Sequence, residues 1–254
     1  MKQALIMTSF GTSVPEARNS IEAVERVLQE TAQEYTAVRA FTSPTIRRVL
    51  AERGETVPSL TDALEDLHRQ GVQRVVVQPT HLLYGYEYDK LKAEAEKFSD
   101  QFELVTVGRP LLANNHDILR FAEKLAEAHP QREGTSVVCM GHGTEHFANA
   151  AYPALQTALY LSGRDDILIG TVEGWPGLED ILRQLKAPGK VKLLPLMLVA
   201  GDHARKDMAV EWKDRLEQAG HFVSYEFTGL GELTWVQAMY QEKLQELLSY
   251  AAGQ

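Results

Sequence analysis

Three residues in the second half of this sequence carry side chains that suit a divalent metal: His142, Glu173 and His203. Each follows a short apolar run, at residues 136–140, 167–172 and 191–199, so each is expected at the carboxyl end of its own strand. Two imidazoles and a carboxylate suit borderline cations such as cobalt, iron, nickel and zinc. Three protein ligands leave coordination positions open, as a site that hands its metal on requires. Gly141 and Gly143 flank His142 and let backbone and a flat ligand come close. Each residue also has a plainer reading. A histidine at a strand end is commonly a structural hydrogen-bonding group. Glu173 could cap a helix starting near Pro176, and Asp202 one near Ala204. What speaks for a shared site over these separate roles is that the three occupy equivalent places in consecutive units; spacing alone leaves both readings open.

The elements that must position them repeat. Apolar runs at 4–10, 37–41, 74–78 and 102–107 alternate with helical patterns at 15–33, 60–70 and 118–128, and Gly71 closes the second of these. Runs at 136–140, 167–172, 191–199 and 222–227 then repeat the scheme, each ending in a polar or Gly/Pro-rich turn. From Ser9 to Phe41 to His81 the steps are 32 and 40 residues; from His142 to Glu173 to His203 they are 31 and 30. This alternation predicts an α/β fold of two similar halves, 1–128 and 129–254, each with a parallel sheet of about four strands flanked by helices. Open parallel sheets bind ligands at their carboxyl ends, so His81, His142, Glu173 and His203 are expected near one cleft.

The composition narrows the partners. The 254 residues are 44% hydrophobic and 24% charged, which fits an ordinary globular chain. A net charge of −9 and a pI near 5.4 argue against nucleic-acid or anionic-membrane partners. No stretch approaches a membrane span and the first apolar run is too short for a secretory signal, so the expected location is the cytoplasm. The single cysteine, Cys139, rules out an internal disulfide and reads as a buried, inert thiol.

The segments MTSFGTS, RAFTS, QPTHLLYGYEYDK, VGRPLL, MGHGTEHFA, VEGWP, LPLMLVAGDHARKDM and GLGE resemble the anaerobic sirohydrochlorin cobaltochelatase family of the CbiK type, in that family's order. The resemblance implies a class II chelatase fold of two pseudo-twofold-related halves holding a tetrapyrrole, with no nucleotide and no prosthetic group. It places the family's metal ligands on His142, Glu173 and His203. The family's serine after VE is Gly174 here, which leaves the ligand intact but alters the wall beside it. The substrates implied are sirohydrochlorin and Co2+, with Fe2+ or Ni2+ as chemically similar alternatives. Metallation must remove two inner N–H protons. His142 and His203 are each candidates for ligand and base, with Glu173 holding metal and assisting proton removal.

His81 and Glu87 match the family's histidine and glutamate on the other half and read as substrate-contacting or proton-transfer residues. Tyr84, Tyr86 and Tyr88 could stack on a macrocycle or simply pack in a loop. Ser9, Thr12 and Ser13 could bind substrate carboxylates; the competing reading is an ordinary cap of the helix that follows. Arg109, in GRPLL, could pair with a propionate or acetate. His116 and His146 read as supporting or surface residues, and Trp212 and Trp235 as core. A haem or tetrapyrrole carrier is the chief non-enzymatic rival, disfavoured by the intact ligand set; a solute binder is more remote. No motif specifies an oligomeric state, and the helical faces leave a homo-oligomer open.

Overall fold

The structure is a computed structural model that describes residues 2–185, 188–201 and 204–254. Two four-stranded parallel sheets carry the chain. The first contains β1 (Gln3–Ser9), β2 (Thr36–Phe41), β3 (Arg74–Pro79) and β4 (Leu104–Val107), in the order β2-β1-β3-β4. The second contains β5 (Thr135–Gly141), β6 (Ile167–Thr171), β7 (Lys190–Pro195) and β8 (Phe222–Tyr225), in the order β6-β5-β7-β8. The chain enters each sheet at an inner strand, steps outward once, then crosses back. The strand order therefore reverses between β1 and β3 and again between β5 and β7, the points at which open parallel sheets bind ligands beyond their carboxyl ends. β1 is buried on both faces, which is why Ala4 to Met7 read as a continuous apolar run rather than an alternating one.

The helices follow from local signals. In α1 (Arg18–Thr31), Ile21, Val24 and Leu28 line one buried stripe. α2 (Pro44–Glu52) starts on Ser43, whose hydroxyl accepts from the Ile46 N–H. α3 (Leu60–Arg69) starts with a Ser59–Asp62 capping box and is closed by Gly71 at φ +71°. α4 (Tyr86–Glu96) is the helix that periodicity did not reveal. Charges at Glu87, Asp89, Lys90, Lys92, Glu94 and Glu96 leave only Tyr88, Leu91 and Ala95 buried, too narrow a stripe to stand out. Tyr86 and Tyr88 are thus helical rather than loop residues, and Tyr88 packs inward with its hydroxyl donating to the Gly108 carbonyl at 3.1 Å. α5 (Asn115–Ala128), α6 (Ala151–Leu161), α7 (Leu178–Gln184), a π-helical stretch (Ala204–Trp212), α8 (Lys213–Gln218) and α9 (Thr234–Ala252) complete the described helices of more than one turn.

The chain divides into two compact units, Met1–Leu111 with Gly231–Gln254, and Leu112–Leu230. In the first, Ile6, Val75 and Val77 pack on Leu60, Leu64 and Leu67 of α3 and Leu91 and Ala95 of α4. In the second, Val138, Met140 and Leu193 pack on Ile181, Met208, Trp212 and Leu216. A division at 128/129 assigns α5 to the first half and α9 to the second; the packing is the reverse. α9 lies on α1, β3 and β4, burying Val236, Met239, Tyr240 and Leu244, and its Tyr240 hydroxyl donates to the Thr80 carbonyl at 2.6 Å. α5 packs against α6. Among the described residues no helix is long and apolar enough to cross a membrane.

Candidate functional site

β5 and β6 run in parallel register, with Met140 beside Gly170 and Gly141 beside Thr171. Their pairing continues past both strand ends: the Val172 N–H donates to the Gly141 carbonyl at 3.1 Å and the Glu173 N–H to the His142 carbonyl at 2.7 Å. The two residues singled out from spacing therefore become neighbours across a backbone ladder. His142 Nδ1 lies 3.8 Å from a Glu173 carboxylate oxygen, and both side chains are roughly half-exposed. His142 Nδ1 also lies 2.9 Å from the Gly143 carbonyl. A carbonyl only accepts, so Nδ1 must carry the proton in that bond, and the lone pair of the neutral ring is left on Nε2. An imidazole with a fixed tautomer and an adjacent carboxylate is a donor set that suits a borderline divalent cation.

His203, the third expected ligand, and Asp202 lie outside the described residues. Among the described residues no group of three or more His, Cys, Asp or Glu side chains gathers to hold a metal. The part of the trio on view is a pair. Glu173 is not spent on capping, because α7 starts from Gly177, whose N–H donates to Asp180 at 2.9 Å. Gly143 has φ +82°, and a β-carbon there would sit 2.6 Å from the Gly174 nitrogen, so only glycine lets the two loops close on one another. His146 supports the same loop: its Nδ1 accepts from the Ala148 N–H at 3.0 Å.

Two large apolar side chains stand out from these loops, Phe147 at 89% exposure and Trp175 at 61%. Trp175 stands two residues past Glu173. Phe147 was not singled out, and its signal is only an isolated aromatic in the polar stretch following His142. A cavity of about 560 Å³ in this unit opens at the opposite, amino edge of the sheet, lined by Gly134, Thr135, Leu185 and His221, away from the pair.

The carboxyl edge of the first sheet holds the remaining candidates. Ser9 is buried at the end of β1 and its hydroxyl has no hydrogen-bond partner; the same is true of Thr8 Oγ1, Thr42 Oγ1, Gln78 Oε1 and both ring nitrogens of His81. Buried polar atoms are nearly always satisfied, so their concentration at one sheet edge gives it capacity for a polar partner. The two ring nitrogens of His81 are sealed from solvent although the residue as a whole is half-buried. Burial pushes its pKa down to about 4, against the opposing pull of Glu87, so the ring is neutral at pH 7. Glu87 sits in the first turn of α4 and pairs with Lys90 at 2.9 Å.

The cap reading of the β1–α1 loop does not hold. α1 is preceded at its N-cap by Ala17, with no side-chain cap, while Thr12 Oγ1 accepts from the Val14 N–H at 3.2 Å within its own turn. The Ser13 carbonyl accepts from Arg53 at 2.6 Å. Arg109 follows β4 and forms an exposed ion pair with Glu246 of α9. Trp212 is core, Trp235 is half-buried and His116 is exposed. Cys139 is buried, and burial pushes its thiol up to about 12, which makes it a poor nucleophile.

The family model described as cobalt chelatase (CbiK) matches residues 3–249. A curated sirohydrochlorin cobaltochelatase from Salmonella typhimurium is 37% identical over 260 residues, covering 99% of this chain and 98% of the relative. The sirohydrochlorin cobaltochelatase CbiKC of Nitratidesulfovibrio vulgaris is 34% identical over 229 residues, 86% of this chain and 81% of the relative. Among solved structures, SirB from Bacillus subtilis with Fe3+ superposes with a TM-score of 0.70 at 14% identity, covering 100% of this chain and 98% of that one; this likeness is one of fold.

Proposed function

Given that the chain belongs to the cobalt chelatase (CbiK) family and inserts Co2+ into sirohydrochlorin, we propose that His142 and Glu173, together with His203, take up the metal and the displaced protons. The observation that carries this reading is the His142–Glu173 pair at adjacent strand ends, with Nδ1 committed to the Gly143 carbonyl. Metallation breaks two inner N–H bonds, forms bonds from those nitrogens to Co2+, and releases two protons. With Nδ1 already protonated, Nε2 is the atom of His142 that holds the metal or accepts a proton. Glu173 supplies the negative charge that offsets the cation before transfer and the proton after it. His81, kept neutral by burial, is suited to hydrogen bonding with the substrate rather than to holding a released proton.

On the first unit, Ser9, Thr12, Ser13, His81, Glu87 and Arg109 are the proposed contacts for the acidic side chains and rim of the macrocycle. The unpartnered Ser9 hydroxyl and His81 ring support this. Arg109 would exchange Glu246 for a substrate carboxylate, a small cost because exposed ion pairs are worth only about 0–1 kcal/mol. The reaction needs neither nucleotide nor resident cofactor in this reading. The acidic chain acts in the cytoplasm without nucleic-acid or membrane partners, serving cobalamin synthesis. The test is anaerobic incubation with sirohydrochlorin and Co2+, followed by macrocycle absorbance, with Fe2+ and Ni2+ in parallel and with His142→Ala and Glu173→Gln variants. Insertion above the spontaneous rate, lost in both variants, is expected. Insertion that survives in both would refute the assignment.

A further inference from the structure

We infer that Asn149 is the positioning residue that fixes the spacing of the His142–Glu173 pair, and that Gly174 is small because the Asn149 side chain occupies the space its β-carbon would need. The inference rests on the reading of that pair as metal donors. The backbone ladder joining the two loops ends at the Glu173 N–H to His142 carbonyl bond. Beyond it the loops would splay, and Asn149 spans the gap. Its Oδ1 accepts from the Thr144 N–H at 3.1 Å, on the loop that follows His142. Its Nδ2 donates to the Trp175 carbonyl at 2.6 Å, on the loop that follows Glu173. Swapping the amide's two ends would set N–H against N–H and oxygen against oxygen, so the orientation is dictated by the partners. The Asn149 backbone N–H is itself tied to the His146 carbonyl at 2.9 Å, which anchors the bridge at its root.

Packing shows how little slack the bridge leaves. A β-carbon on Gly174 would lie 2.4 Å from Asn149 Oδ1 and 3.1 Å from its Cγ, distances at which something must move. A β-carbon on Gly143 would meet the Gly174 nitrogen at 2.6 Å and the Glu173 carbonyl carbon at 2.9 Å. The two loops are therefore in backbone contact on one side and pinned by one amide on the other, within a few residues of both donors. Metal donors must be held within about 0.5 Å of their working geometry, so a bridge of this kind sets affinity. Asn149 is half-buried and belongs to neither apolar cluster, so its role is in the loops rather than in holding a sheet together.

The experiment uses the full chain and compares wild type, Asn149→Ala, Gly174→Ala, the double variant and His142→Ala. Co2+ binding is measured by calorimetry without tetrapyrrole, alongside KM for Co2+, KM for sirohydrochlorin and the melting temperature. Supporting groups around metal ligands typically change affinity 10–100-fold, so Asn149→Ala is expected to weaken Co2+ binding by about that factor. Its KM for Co2+ rises in step, with KM for sirohydrochlorin and the melting temperature little changed. Gly174→Ala weakens binding on its own, and the double variant binds no worse than the weaker single, because the closest clash partner has gone and only the Thr144 nitrogen, at 3.1 Å, remains. Unchanged Co2+ affinity in Asn149→Ala, with binding lost in His142→Ala, overturns the positioning role and leaves the metal pair standing. Losses that multiply in the double variant overturn the packing between Asn149 and Gly174. A melting-temperature loss that accounts for the weakened binding assigns Asn149 to stability alone. Full Co2+ affinity in His142→Ala removes the metal pair and the inference with it.

Discussion

Replacing Gly143 by alanine should damage this protein in a way that the same change at an uncrowded left-handed glycine, Gly71, does not. Gly143 and Gly71 both sit at positive φ, +82° and +71°, so a β-carbon costs about 1–2 kcal/mol at either place. Around Gly71 nothing lies within 4 Å, and that conformational cost is the whole effect. Around Gly143 the new carbon meets the Gly174 nitrogen at 2.6 Å and, at 2.9 Å each, the Glu173 carbonyl carbon and Thr171 Cβ, two of the three being backbone. Overpacking of this kind adds about 1–3 kcal/mol, so Gly143→Ala should cost roughly 2–5 kcal/mol in all. At about 2–4 °C per kcal/mol for a chain of this length, Gly71→Ala should lower the melting temperature by a few degrees and Gly143→Ala by about twice as much. Scanning calorimetry on both variants reads the difference directly. Because the displaced backbone carries Glu173, Gly143→Ala should also lose Co2+ uptake while Gly71→Ala keeps it. Equal melting shifts, or full Co2+ affinity in Gly143→Ala, would show that the loops are not in contact as described.

Four further outcomes are expected. The buried His81 binds a proton less readily when folded, at about 4, than when unfolded, near 6.5. Its contribution is fully present above pH 6.5 and lost as the pH falls toward 4, and urea titrations should show this slope reduced in His81→Asn; an unchanged slope would contradict burial of the ring. Arg39→Ala strands Glu25, whose side chain is only 5% exposed and is held by Arg39 at 2.5 Å, and should cost about 3–5 kcal/mol; adding Glu25→Gln should recover part of this in chemical denaturation. Cys139, 1% exposed with its thiol pushed up to about 12, should resist iodoacetamide in the native state and react only after unfolding, as mass spectrometry would report. Arg109→Ala should raise KM for sirohydrochlorin while changing stability by no more than about 1 kcal/mol, because its pair with Glu246 is exposed.

The sequence by itself determined a good deal. Eight apolar runs between polar turns specified eight parallel strands in two similar sets, and at inner strands such as β1 and β5 burial on both sheet faces makes the run continuous. The strand-end positions of His142 and Glu173 were legible since a residue just past a parallel strand must lie at the carboxyl edge, whatever the rest of the chain does. α4 was not legible, because its buried stripe is only three residues wide and charges surround it.

Other features were decided by the tertiary structure, through contacts between residues far apart in the chain. Periodicity identifies a buried helix face but not the sheet that buries it, so α5 and α9 could not be assigned to their units from sequence order. The amide of Asn149 reaches Trp175 across 26 residues only because β5 and β6 bring two loops side by side. Local composition records which side chains can do chemistry; the distances at which they meet are set by the packing of strands that the chain joins late.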